Sequence, residues 1–396
     1  MTRALPLLLL LASLASADGR GAAPPPPELT EARKKVYEEI QKLKASMAQQ
    51  GYRAEIEDCD SILRKVLEPE KGLNEKGGGT PYPGDDRLKA LIQEWSEFGD
   101  RVAAIYTDAA AKLDGDAKAE AELMSGWFAS FAHAGRGVLH LNRRRKFCKL
   151  TPVMPDWSGT LGGYLHGVYL KRNQGHPSTA GLGAHNEDPK LPGYTLEGAA
   201  AAKGILGGGS AEYVMDSWLG SEYHREPVFS RGCTRVLFGG LPGGWWSCRN
   251  GGGGSGNALA DVITFPGDGD TDISPVFGGE GPNPLDRYGM QSSGTLIVIE
   301  FLKGKPKKGV ARLLDPDGKE VEILELGKAP MSFVAREPLQ KNARYVVEVV
   351  GTDRRFSFSF TTSGGFGIGM GGRGADPNEG KAPVGGGTPS DENSGR

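Results

Sequence analysis

His185-Asn-Glu-Asp-Pro189, Pro192-Gly-Tyr-Thr-Leu-Glu197-Gly-Ala199 and Trp218-Leu-Gly-Ser-Glu-Tyr-His224-Arg225 follow one another within a single short stretch of the chain. Imidazoles and carboxylates are the side chains that exchange protons or hold metal near neutral pH. Here they punctuate turns and one helix. Upstream, Val138-Leu-His-Leu-Asn142-Arg-Arg-Arg145 closes a helix read from about Ala117 to Phe147, whose Trp127, Phe131, Ala134, Val138 and Leu141 share one face. Asp156 is placed to cap the next helix, with Trp157, Leu161, Leu165 and Val168 facing a core and His166 in its middle. A third helix is read to start over Gly204 to Ser210, with Tyr213, Val214 and Trp218 inward. Strands are expected at Arg235–Phe238, Trp245–Ser247 and Val262–Phe265.

This order and spacing resembles the CAP superfamily, the cysteine-rich secretory, antigen-5 and pathogenesis-related proteins, in its bacterial form. The likeness covers roughly a third of the chain, the length of one ordinary domain. It implies an α+β fold, an α-β-α sandwich, with a central cleft of two histidines and two acids. His185 stands where the first histidine of the family stands, and His224, six residues after Trp218, where the second does. Glu197 matches the Glu of the family's Gly-Glu-Asn element, although Leu196 and Gly198 depart from its neighbours. The second acid follows the tryptophan by three residues in the family. That position is Ser221 here, with Glu222 beside it, so the tetrad is incomplete or Glu222 completes it from a shifted direction.

Chemically, His185, His224 and Glu197 could hold Zn²⁺ with an open fourth position for water. They could equally share protons without metal, or form a buried hydrogen-bond network that fixes the loops. Ser221 lacks a Gly-x-Ser-x-Gly setting, so no nucleophile is positioned. The expectation is a binding or interaction module rather than an enzyme, with a small apolar ligand or an envelope protein as partner. The alternatives are a metal-dependent hydrolase with Glu222 as general base, and a structural envelope protein with an inert cleft. His166 reads as a satisfied core residue, His133 and His140 as one helix face, and His176 as a loop residue. The basic run Arg143 to Lys146 reads as a solvated helix face. With 47 basic against 49 acidic residues and no aromatic stripe, no nucleic-acid partner is expected.

Around this core the chain divides by composition. Arg3, the apolar run Leu7–Leu14 and Ala15-Ser-Ala17 read as a signal peptide (1–17), so the expected destination is the periplasm, cell surface or medium, with no transmembrane segment in the mature chain. A proline-rich linker (18–27) precedes a helical region (28–120), the CAP-like domain (121–268) and a linker (269–293). From 294 to 363 apolar residues alternate with period two, around the turn Asp315-Pro-Asp-Gly318, as in a small immunoglobulin-like sandwich. The Gly- and Ser-rich end (364–396) reads as disordered. Gly251–Gly256 is expected as a loop, and Asp268-Gly-Asp-Thr-Asp272 as a solvated turn rather than a calcium site. Four cysteines in an exported chain are expected to be structural. Cys233 would face Cys248 across a hairpin turning at Gly239–Pro242, and Cys59 with Cys148 would tie the helices to the core.

Overall fold

Val36, Ile40, Leu43 and Met47 recur at helical spacing, and all four are buried along α1 (Pro27–Gln50). The computed structural model describes residues 25–51, 53–67, 85–253, 259–328 and 330–365. The signal segment, most of the first linker, the Gly-Ser run after residue 253 and the tail from residue 366 lie outside them. The described chain is mixed α+β, and helices α2 (Arg53–Leu67), α3 (Asp85–Ala110) and α4 (Gly115–Phe147) follow α1. Among the described residues no helix is long and apolar enough to cross a membrane.

α3 and α4 meet through a stack of aromatic rings. Trp157 lies 5.2 Å from Trp95 and 4.5 Å from Phe131, nearly parallel to both. Large rings crowd this seam, so the backbones need small residues where they touch. At Gly135 a β-carbon would fall 2.0 Å from Ser96 Oγ. One apolar core runs unbroken from Leu29 through these rings to Trp218, Phe238 and Trp246.

Four strands form the first sheet, in the order β1 (Met154–Pro155), β3 (Cys233–Gly240), β4 (Trp245–Gly253), β2 (Ile205–Gly208). Only β1–β3 is parallel. Successive strand residues point to opposite faces. Phe238 packs against Trp218 of α7 (Ala211–Leu219) and closes on Gly137 of α4, while the β-carbon Gly239 lacks would strike Thr160 in α5 (Thr160–Arg172). Helices therefore cover both faces. β2 replaces the helix start expected over Gly204–Ser210: its four residues are too few to show a period, and the helix begins instead where Ser210 Oγ accepts from Tyr213 N–H at 3.1 Å.

Two further sheets share a second core of Ile297, Ile299, Phe333, Val347, Phe358 and Phe360. One runs β11 (Glu320–Val321), β10 (Val310–Leu314), β14 (Arg344–Val350), β15 (Arg355–Thr362), β6 (Asp270–Ile273). The other runs β12 (Ile323–Lys328), β13 (Met331–Ala335), β9 (Leu296–Phe301), β5 (Val262–Phe265). β5 and β6 thus belong to this layer, not to the first sheet and the linker where the sequence placed them. Their partners, β9 and β15, lie far downstream, so no local pattern announces the pairing. β13 was also missed: Pro330 reads as a turn, and five residues give little periodicity.

Two expectations about charge are overturned. Arg144 and Arg145 of the basic run are buried, at 4% and 0% exposure. Asp270, expected in a solvated turn, is fully buried. The guanidinium of Arg144 has five N–H groups, and all find oxygen. Nε–H donates to Asp216 Oδ1 at 2.9 Å, NH1 to Asp270 Oδ1 at 2.8 Å and the Thr271 carbonyl at 2.6 Å, and NH2 to Asp216 Oδ2 and the Asp272 carbonyl, both at 3.3 Å. One helix-borne cation thereby joins α4, α7 and β6. Arg145 is caged by the carbonyls of Thr151, Val228 and Ser230.

The disulfides are not formed: Cys148, Cys233 and Cys248 are buried free thiols, which leaves Cys59 no bond to Cys148. The hairpin turns later than expected, so Cys248 opposes Phe238 and Cys233 opposes Gly253. At about 3.3 Å of rise per residue, Cys233 and Cys248 are displaced along the ladder by on the order of 15 Å, beyond the ~7 Å that a disulfide spans.

Removing the Arg144 cation leaves Asp270 a buried carboxylate with no cation and one hydrogen bond, from the Thr271 N–H at 2.9 Å. Arg144→Met should destabilise the protein by about 3–5 kcal/mol, against less than ~0.5 kcal/mol for Arg143→Met on the exposed side of the same helix, both read from denaturant unfolding. Burial alone would raise the Asp216 carboxyl, but hydrogen bonds from His140 and Arg144 outweigh it and hold the pKa below its ordinary value. Its contribution is therefore present at neutral pH and lost as pH falls through that depressed value, so the acid limb of wild-type stability should flatten in Arg144→Met.

Candidate functional site

α5 carries His166 into the interior, 1% exposed, where its Nδ1 meets Glu187 Oε1 at 2.9 Å. The other oxygen of Glu187 accepts from Thr195 N–H at 3.1 Å. Gly198, in α6 (Leu196–Ala201), lets the backbone close on this carboxylate: a β-carbon there would lie 2.5 Å from Glu187 Oε1. His185 ends a short 3₁₀ turn (Gly181–His185), half-buried, with Nδ1 3.1 Å from the Ala202 carbonyl. Lys203 Nζ donates to the His185 carbonyl and to Asn186 Oδ1, which pins the loop.

His224 follows α7 in a turn and is held by Glu280, a buried residue of the loop between β7 (Val276–Phe277) and β8 (Ser293–Gly294). Nδ1 of His224 lies 2.5 Å from Glu280 Oε2. Consecutive backbone N–H groups of Glu222, Tyr223 and His224 donate to the same carboxylate at 2.5, 3.1 and 3.3 Å. Three charged-acceptor bonds and an imidazole are gathered on one side chain, a strong arrangement for a buried carboxylate.

The Nδ1 partners of these three imidazoles are oxygens that can only accept at neutral pH, so each Nδ1 carries a proton. His166 Nε2 is buried with no hydrogen-bond partner. His185 is close enough to both others for their charges to bear on it. Burial pushes its pKa below the ordinary histidine value; the carbonyls of Ala202 and Gly204 partly oppose this, and the charges of His224 and His166 add to it.

The structure thus sets His185 within electrostatic reach of His224 and His166, and adds Glu280 and Glu187 as the partners of those two. It does not give the other predicted residues their expected roles. Glu197 sits half-buried in the first turn of α6, and Glu187 is the acid that pairs with an imidazole. Ser221 is buried, and its hydroxyl donates to the Ser217 carbonyl at 2.7 Å rather than to His224. Glu222 turns away from the imidazoles: one oxygen takes Arg225 NH1 at 2.5 Å and the other Ser332 Oγ of β13 at 3.0 Å. Among the described residues no three of His, Cys, Asp and Glu gather closely enough to hold a metal ion, so the zinc set His185, His224 and Glu197 is not assembled.

No family model, curated protein or solved structure matches this chain.

Glu187 lies two residues from His185 and could have been found by that spacing. Glu280 sits in a Gly- and Pro-rich segment with no motif, and only the tertiary fold reveals it.

In an imidazole NMR titration, His185 should titrate below the ordinary ~6.5. Because the folded state favours its neutral form, its contribution is present above the unfolded pKa and fades as pH falls through the lower folded value. A titration at or above ~6.5 would remove the burial argument. Replacing Glu280 by alanine removes the acceptor of three amides and an imidazole, all in part-buried hydrogen bonds, and a donor left unpaired costs up to about 1–3 kcal/mol. Glu280→Ala should therefore unfold at distinctly lower denaturant, while Glu222→Gln, which keeps an acceptor for Arg225 and Ser332, should shift the midpoint much less.

Proposed function

We propose that this chain is an exported, CAP-like binding module whose imidazole cleft holds a small apolar ligand without turning it over. The order of elements supports the family likeness: a long helix, a short strand, a helix, then the small sheet with a covering helix before its final hairpin. The period-two segment after residue 294, now seen as two sheets around one core, supports an immunoglobulin-like neighbour that presents or spaces the module.

The observation that carries the non-catalytic reading is the commitment of the polar groups. The hydroxyl of Ser221 donates to the Ser217 carbonyl and not to an imidazole, so it is not paired with a base that would activate it as a nucleophile. The rim adds an apolar component. Leu182, Leu196 and Tyr223 expose 68%, 74% and 52% of their surface and neighbour His185, Glu197 and His224 in sequence. Exposed large apolar side chains next to polar site residues are what a recognition surface presents.

Metal-assisted hydrolysis is the rival reading. Imidazoles whose Nδ1–H is held by a carboxylate are also what a metal site would want, since that orients Nε2 as ligand. The two readings separate in one experiment on the full chain. Hydrolysis of p-nitrophenyl acetate should match that of the His224→Ala variant, and binding of a fluorescent fatty acid should weaken at least tenfold in Leu196→Asp/Tyr223→Ala. Zinc-dependent turnover that disappears in His224→Ala would hand the site to the hydrolase.

A further inference from the structure

A cavity of about 260 Å³ lies between α7, the segment 272–279 and the start of β9, with Ser221 and Gly279 at its edge. Its apolar walls come from Phe265, Ile273, Phe277 and Leu296. These lie on strands of the β layers, while Tyr213, Asp216 and Ser217 of α7 form the facing wall, so the space exists only where the first sheet's helices meet the β layers. Along α7, Tyr213 and Ser217 supply hydroxyls that bond to each other.

Charge decides what could enter. Arg144 borders the cavity, but its five N–H groups are all spent on Asp216, Asp270 and two carbonyls, so it offers an incoming anion no donor. Asp216 and Asp272 also line the space, and their side chains are 41% and 71% exposed. The nearest cation to Asp272 is Arg143 at 4.0 Å, a long and solvated contact. The walls therefore present apolar surface, two hydroxyls and a net excess of carboxylate. That combination repels anions and suits an apolar body carrying an ammonium or a neutral donor.

We propose that this interdomain cavity is a binding site for a small amphipathic amine, with the aromatic or aliphatic body against Phe265, Phe277 and Leu296 and the amine toward Asp216 and Asp272. The inference rests on none of the imidazole chemistry. Gly279 closes the lining segment, and Glu280, which follows it, is anchored by the amides after Ser221 on the opposite wall.

Phenethylamine and phenylacetate, which share a body and differ in charge, are the probes. In calorimetric titration of the full chain, phenethylamine should bind saturably and at least tenfold tighter than phenylacetate, about 1.4 kcal/mol. Val276→Trp, which projects bulk from the cavity wall, should abolish binding. Asp272→Asn, at an exposed position whose backbone asparagine readily adopts, should fold normally, weaken phenethylamine at least threefold and reduce its salt dependence. Equal affinity for the two probes, no saturable binding of phenethylamine, or full affinity retained in Asp272→Asn would each overturn the assignment.

Discussion

Burying a guanidinium is tolerable only when every N–H finds an acceptor and the charge finds a carboxylate. Arg144 meets both conditions, but only by drawing on α7 and β6 at once. Its position near the end of a long helix makes it the fixed point where helical core and sandwich are joined. Asp270 is satisfied on one oxygen and has none for the other, and burial pushes its carboxyl up. The joint is therefore specific but under electrostatic load: besides the cation, Asp270 has a single backbone amide, that of Thr271, to hold it in the interior.

The same joint explains why the domain boundary was misplaced. A sequence reader divides the chain where periodicity changes, which happens at Gly294. The sandwich instead begins with β5 and β6, whose edges are completed by β9 and β15. Between them, Gly267 lets the chain pass hard against Phe147 at the end of α4; a β-carbon there would fall 2.3 Å from that backbone. Chain crossing of this kind leaves no local signature. The buried basic run is a related case. Four consecutive cations resemble a wet helix face, yet a helix turns about 100° per residue, so Arg144 and Arg145 can face inward while Arg143 stays outside.

What was legible followed short-range rules. Apolar spacing gave the helix from about Ala117 to Phe147 nearly to its ends and marked 28–120 as helical, and alternation marked the strand-rich segment from residue 294. Asp315-Pro-Asp-Gly318 forms the turn between β10 and β11, with Gly318 at φ +76°. The histidines at 185 and 224 were legible as a pair because imidazoles are rare and the motif spacing is distinctive. The acids were not. Carboxylates are common, and which of them reaches an imidazole depends on backbone paths: Glu187 wins over Glu197 because the loop folds back over α5, and Glu280 arrives from another layer altogether.

That last contact changes how the cleft should be understood. A site whose acids were all local would keep its geometry if the sandwich were removed. Here His224 is oriented by Glu280, and Glu222, two residues before it, is hydrogen-bonded to Ser332 in β13. Both contacts cross from the helical core to the β layer, and both act on the same turn. The β7–β8 loop is therefore a structural component of the site, fixing the direction of one imidazole, and β13 of the sandwich holds the turn that carries it through Ser332.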